Sequence, residues 1–160
     1  MPPEVLAESA GIIRAFIEDY HEKLEEDFLF PRFRKAGKLT ELVEVLAEQH
    51  QTGRRLTDAI LRLSAPAALK NADDQLALAR LLDQFIRMYG PHAAREDTVL
   101  FPALHEVVTA EEYDALGDAF EKKEHELFGE KGFERMVDRV AAIEKSLGIY
   151  DLAKFATPST

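Results

Sequence analysis

The sequence predicts an all-α protein: an antiparallel four-helix bundle followed by a C-terminal helix and a tail. Three observations predict it. Apolar residues recur at three- and four-residue steps over most of the 160 residues. No stretch alternates apolar and polar residues as a half-buried strand does. Only short connections separate the periodic segments, which makes successive helices antiparallel neighbours.

The first helix is expected over residues 4 to about 34. Leu6, Ala10, Ile13, Ile17, Leu24, Phe28 and Leu29 form its stripe, with His21 and Glu25 inside it; Pro31 lies near its end and Gly37 marks the turn. Thr40 opens the second helix, which runs to about Ser64 ahead of Pro66. Leu39, Leu42, Val43, Leu46, Gly53, Ile60 and Leu61 make its stripe, and His50 falls near the centre at about 100° per residue. Residues 65–74 form a loop of small residues. The third helix runs from about Asp73 to Leu104 through Leu78, Leu81, Leu82, Phe85, Met88, Val99 and Leu100, with His92 and Glu96 mid-stripe. Gly90-Pro91 should kink it. Thr109-Ala-Glu-Glu112 reads as a capping box opening a fourth helix through Tyr113, Leu116, Phe120 and Leu127. Gly129 and Gly132 should break or bend it. Phe133, Met136, Val137, Val140, Ile143 and Leu147 continue as an amphipathic helix to Gly148. The expected domain is residues 1–148, with residues 149–160 as a tail.

Two segments echo each other: His21-Glu-Lys-Leu-Glu25-Glu26-Asp-Phe-Leu29-Phe30-Pro31 and His92-Ala-Ala-Arg-Glu96-Asp97-Thr-Val-Leu100-Phe101-Pro102, 71 residues further on. Residues four apart stack on one helix face, so each copy offers an imidazole and a carboxylate side by side. Two copies facing each other would supply two imidazoles and two carboxylates to one pocket. Burying unpaired carboxylates is very costly, and such a group of donors calls for a cation. The rival reading is a pair of His–Glu hydrogen bonds inside the bundle. The duplication, flanks included, and the position of both copies on apolar stripes favour the metal. His50 is a third candidate ligand. His125 is a weaker one, lying off the stripe of Leu116, Phe120 and Leu127. His105 should be exposed. Glu26 and Asp97, about 100° further round, should leave the core face for solvent or ion pairs. Phe30-Pro31 and Phe101-Pro102 read as helix-end packing.

Composition narrows the chemistry. There is no Cys, so any metal is held by nitrogen and oxygen. The net charge of -10 argues against nucleic acid or an anionic membrane as partner. No apolar run is long enough to span a bilayer, and the start lacks the basic region and long apolar core of a signal peptide. A cytoplasmic location is expected.

With these residues in view, the chain resembles the hemerythrin-like family, also called the HHE cation-binding domain. His21 to Glu26 with Leu29-Phe30-Pro31 resembles the family's first His-x-x-x-Glu motif, and Tyr89 to Asp97 with Leu100-Phe101-Pro102 the second. Leu46-Ala-Glu-Gln-His50-Gln-Thr-Gly-Arg54 resembles the intervening helix with a lone His. Phe120 to Gly129 is similar to the segment trailing the bundle in bacterial members. Members usually begin with a further His-bearing helix, and residues 1–20 contain no His. The resemblance implies two non-haem iron ions, oxo- or carboxylate-bridged, with manganese or zinc as substitutes. The metal ligands would be His21, Glu25, His50, His92 and Glu96, with His125 or a partner chain supplying a missing nitrogen. It implies dioxygen or nitric oxide as ligand, in oxygen binding, gas sensing or iron handling under oxidative or nitrosative stress. Rival readings are a di-iron oxidase, peroxidase or oxygenase on the same site, and a helical interaction module with a degraded site. The groove left by the absent helix has two expected solutions. Either residues 111–128 fold across it, or two chains pair groove to groove as a homodimer; the outward aim of His125 favours the dimer.

Overall fold

The computed structural model describes residues 3–156, and among them all regular structure is helical. Helix α1 covers residues 3–36, α2 Thr40–Leu63, α3 residues 72–106, α4 Ala110–Phe128 and α5 Gly132–Leu147. One 3-10 turn, Ala68–Lys70, lies between α2 and α3, and another, Leu152–Phe155, follows α5. No helix among the described residues is long and apolar enough to cross a membrane.

Local chemistry sets the ends. Gly37 takes a left-handed φ of 65°, and the Gly37 and Lys38 N–H groups close α1 on the Arg34 and Phe33 carbonyls at 3.1 and 3.0 Å. Asn71 Oδ1 accepts from the Asp73 and Asp74 N–H groups and caps α3. Thr109 and Glu112 form the expected capping box at the start of α4.

Two wide turns repeat like the motifs that contain them. Glu25–Leu29 in α1 and Glu96–Leu100 in α3 are π-helical. A proline stands two residues beyond each. Pro31 and Pro102 have no N–H, and their rings crowd the carbonyl four residues back. The ladder is stretched in both turns: Phe30 N–H bonds the Glu25 carbonyl and Phe101 N–H the Glu96 carbonyl, five residues back. The helix expected to kink at Gly90-Pro91 stays α-helical there, to Arg95. Its departure from α geometry falls at Glu96. A third π segment, Ile13–His21, precedes the first motif.

The core has two apolar ends and a polar middle. At the α1–α2 turn, Leu29, Phe30, Phe33, Val43, Leu46, Leu100, Ala103, Leu104 and Leu116 pack together. At the other end Leu6, Ala10, Ile60 and Leu78 do so. Truncating fully buried Phe33 to Ala would cost about 3–5 kcal/mol. Between the clusters lie the buried polar side chains Glu18, Glu22, Glu25, His50, Thr57, His92 and Glu96. Helix α4 closes the bundle along α1. Leu116 enters the first cluster, and Phe120 and Phe128 meet Phe28 and Phe16 at 5.5 and 5.3 Å between ring centroids. The Tyr20 hydroxyl donates to the Phe120 carbonyl at 3.4 Å. The segment of residues 111–128 therefore does lie across the groove.

Candidate metal centre

Each stretched turn begins on a glutamate, and each glutamate faces an imidazole one turn earlier. His21 Nε2 lies 3.1 Å from Glu25 Oε1, and His92 Nε2 lies 2.7 Å from Glu96 Oε1. Helix α2 inserts His50 between the two pairs. Its Nε2 is 3.3 Å from Glu25 Oε2 and 3.7 Å from Glu96 Oε1. The His50 ring is fully buried, stacked on Phe30 at 5.4 Å and edge-on to His92 at 5.0 Å. Phe101, the counterpart of Phe30, meets the His21 ring edge-on at 6.4 Å. The Phe of each Leu-Phe-Pro thus buttresses an imidazole as well as packing a helix end.

Three candidate ligand groups result among the described residues, one of them, Glu22, Glu26 and His50, on the outer side of the His50 ring. His50, His92 and Glu96 bring donor atoms within 4.8 Å of one another, and so do His21, Glu25 and Glu96. Glu96 belongs to these two. His125 is exposed on α4 and belongs to no such group among the described residues; His105, also exposed, stacks on Tyr113. His21 is the open member, with 44% of its side chain exposed.

The buried atoms at the centre test whether a cation fits. Both Glu25 carboxylate oxygens, His50 Nε2 and Glu96 Oε1 are buried and make no aligned hydrogen bond. Such groups cost several kcal/mol each unless something positive lies among them. The donors are imidazole nitrogen and carboxylate oxygen, a mixture that suits iron, zinc or manganese. The residues fit a cation. Without one, protons do its work. Burial opposes charge on His50, but Glu25 and Glu96 outweigh it and push the imidazole up to about 10. Burial likewise opposes charge on Glu96, yet His50 and His92 hold its carboxyl down to about 2. The Glu25 carboxylate 3.1 Å away raises His21, against its burial. Metal binding must displace these protons.

The outer partners escaped the sequence reading. Glu26 Oε1 lies 3.1 Å from His50 Nδ1, and Gln49 Oε1 lies 2.9 Å from His92 Nδ1. Both oxygens accept, so each Nδ1 donates, which turns the Nε2 lone pair of a neutral ring towards the centre. Glu26 also carries the expected ion pairs, with Arg54 and Lys23 at 2.7 Å each. It faces His50 instead of leaving the site, whereas Asp97 is exposed. Beneath this lies a second layer. Glu22 accepts from the Tyr89 hydroxyl and pairs with Arg54 at 2.9 Å. Glu18 accepts from Thr57 at 2.6 Å and pairs with Arg14 at 3.1 Å. Burial raises both carboxyls. The only sequence signals were spacing: Arg54 is one turn after His50, and Tyr89 nearly one turn before His92.

The pattern of the Hemerythrin HHE cation binding domain matches residues 2–104. The chain is 53% identical over 158 residues to an uncharacterized protein of Mycobacterium bovis, and equally to uncharacterized proteins of two Mycobacterium tuberculosis strains. Each alignment covers 99% of this chain and 62% of the relative, so the chain spans less than two thirds of those curated relatives. No solved structure matches.

Proposed function

The chain belongs to the hemerythrin HHE cation-binding family, and we propose that it is a non-haem di-iron protein that binds dioxygen or nitric oxide. The observation that carries this reading is the convergence of Glu25, Glu96 and His50, whose buried central atoms have no hydrogen-bond partner. On this reading His50, His92 and Glu96 hold one ion, and His21, Glu25 and Glu96 hold the other. Glu25 and Glu96, reaching in from α1 and α3, would hold the pair between the two helices. A bound pair of ferrous ions supplies two electrons and an open position for a diatomic gas. The chain's own residues do the rest. Glu26 and Gln49 fix the His50 and His92 rings. Phe30 and Phe101 pack against the His50 and His21 rings. Arg54 balances the charge of Glu22 and Glu26. His125 has no part in the centre.

The test is iron reconstitution of metal-free protein. Up to two iron atoms per chain are expected, with near-ultraviolet ferric bands appearing when anaerobic ferrous protein meets air. Protein that retains no iron after reconstitution refutes the reading.

A further inference from the structure

A cavity of about 300 Å³ opens beside His21 and Glu25, between α1, α3 and α4. Its walls are mostly apolar, built by side chains such as Leu29, Phe101 and Leu116, and Gly117 stands at its exposed rim. Two aromatic side chains of α4, Tyr113 and Phe120, line it and rest against other rings. The Phe120 ring packs on Phe28 at 5.5 Å, and the Tyr113 ring stacks on His105 at 4.3 Å. A Cβ added at Gly117 would meet nothing within 4 Å.

The volume decides what the space is for. A water takes about 30 Å³ of the liquid, and a diatomic gas needs little more; an apolar cavity of about 150 Å³ admits benzene. This one is several times larger than a gas ligand requires, and has room for roughly a dozen non-hydrogen atoms. A helix, about 10–12 Å across, does not fit. The chemistry of the walls matches a small-molecule pocket: apolar sides, with polar groups gathered at one end. The chain's net charge of -10 and the Glu25 carboxylate at that end disfavour an anionic head group.

The geometry points to a binding site for a small neutral organic molecule, with an apolar body in the cavity and one polar end at His21 and Glu25. Binding needs only the cavity. What the bound molecule is for rests on the di-iron reading: it would lie against the more open of the two ion positions, as a substrate or an effector.

The test uses 2-naphthol, which has an apolar ring body and one hydroxyl. The chain has no Trp, so naphthol emission is read without an indole background. Metal-free and iron-loaded protein are both titrated. Saturable binding of one naphthol per chain is expected. Gly117→Leu should weaken it at least tenfold without lowering the melting temperature, because it fills open space and removes a helix-disfavouring glycine. Methyl NMR shifts in the unmodified protein should be confined to Leu24, Leu29, Leu104 and Leu116. That measurement decides the matter alone if Gly117→Leu does not fold. No saturable binding, equal affinity in Gly117→Leu, or shifts elsewhere overturns the inference. Naphthol binding by protein that takes up no iron overturns the di-iron reading and leaves the cavity site standing. Iron uptake without naphthol binding does the reverse.

Discussion

Replacing Glu26 by Ala should weaken metal binding without removing a ligand. Glu26 Oε1 accepts from His50 Nδ1 at 3.1 Å and from Arg54 at 2.7 Å. Burial opposes its charge, but Lys23 and Arg54 keep its carboxyl below the usual glutamate range. In Glu26→Ala the buried Nδ1–H of His50 loses its acceptor, at a cost of about 1–3 kcal/mol. The ring is then free to turn or change tautomer, and loss of such an outer partner lowers metal affinity about 10–100-fold. The Lys23 pair adds little, since half of the Lys23 side chain is in water. Glu26→Gln keeps an oxygen for Nδ1 and should retain most of the affinity. Asp97→Ala, at the exposed counterpart, should change nothing. The assay is competition with a chelator for ferrous ion under anaerobic conditions, paired with thermal melts of metal-free protein. Glu26→Ala with unchanged affinity and an unchanged melt would refute the claim that this carboxylate orients His50.

Four further outcomes follow from the same geometry. Glu25→Ala and Glu96→Ala should each reduce iron to one atom per chain or fewer, because each carboxylate faces two imidazoles; two atoms retained in either variant defeats this placement of the pair. Metal-free protein should lose stability as pH rises from 6.5 towards 10. His50 is raised in the folded state, so its contribution is complete below the unfolded value of 6.5 and gone above about 10. Iron-loaded protein, with His50 neutral, should lack that decline, and melting temperatures that track each other through this range contradict the account. Gly53→Ala should destabilise by about 1–3 kcal/mol in chemical denaturation, since a Cβ there would collide with the Tyr89 hydroxyl that Glu22 holds; a neutral effect would mean that Tyr89 moves freely. Phe120→His should raise affinity at the His21 side of the centre, measured by the same chelator competition, and no gain would show that its side chain cannot turn inward from Phe28.

Local rules carried much of the fold because they act within a turn or two of chain. Apolar periodicity located the helices, and the Thr109–Glu112 box opens α4 as expected. The repeat placed His21, Glu25, His92 and Glu96 on facing stripes, and the single-helix projection put His50 among them. The misses have a common cause. A one-helix projection treats every residue outside the stripe as solvated, but a bundle helix has two neighbours. Glu26 lies off the α1 stripe and on the side of α2, where His50 and Arg54 wait. Glu18 and Glu22 are buried acids whose partners Thr57, Arg54 and Tyr89 come from α2 and α3. No local pattern announces such pairings. The prolines were visible, but reading them as helix ends hid the wide turns that begin at Glu25 and Glu96 just before them.

The repeat also shows where the two halves diverge. Counted from its first residue, α2 places Leu46 and His50 at the same steps at which α4 places Leu116 and Phe120. Leu46 and Leu116 play the same part, both buried in one apolar cluster. His50 and Phe120 do not. Where α2 sends an imidazole between the two carboxylates, α4 offers a phenyl ring that packs on Phe28 and leaves a cavity. His125, more than one turn further along α4, cannot substitute, because it faces water. On the di-iron reading the two ions are therefore unlike. One would lie among His50, His92 and Glu96, all buried, with both rings pinned from outside by Glu26 and Gln49 and a smaller pocket of about 230 Å³ against His92 and Glu96. The other has His21 as its sole imidazole, on the most exposed side of the centre and beside an apolar chamber. A missing nitrogen and an adjacent cavity on the same side are what a site needs if an exogenous molecule is to reach one ion while the protein keeps firm hold of the other.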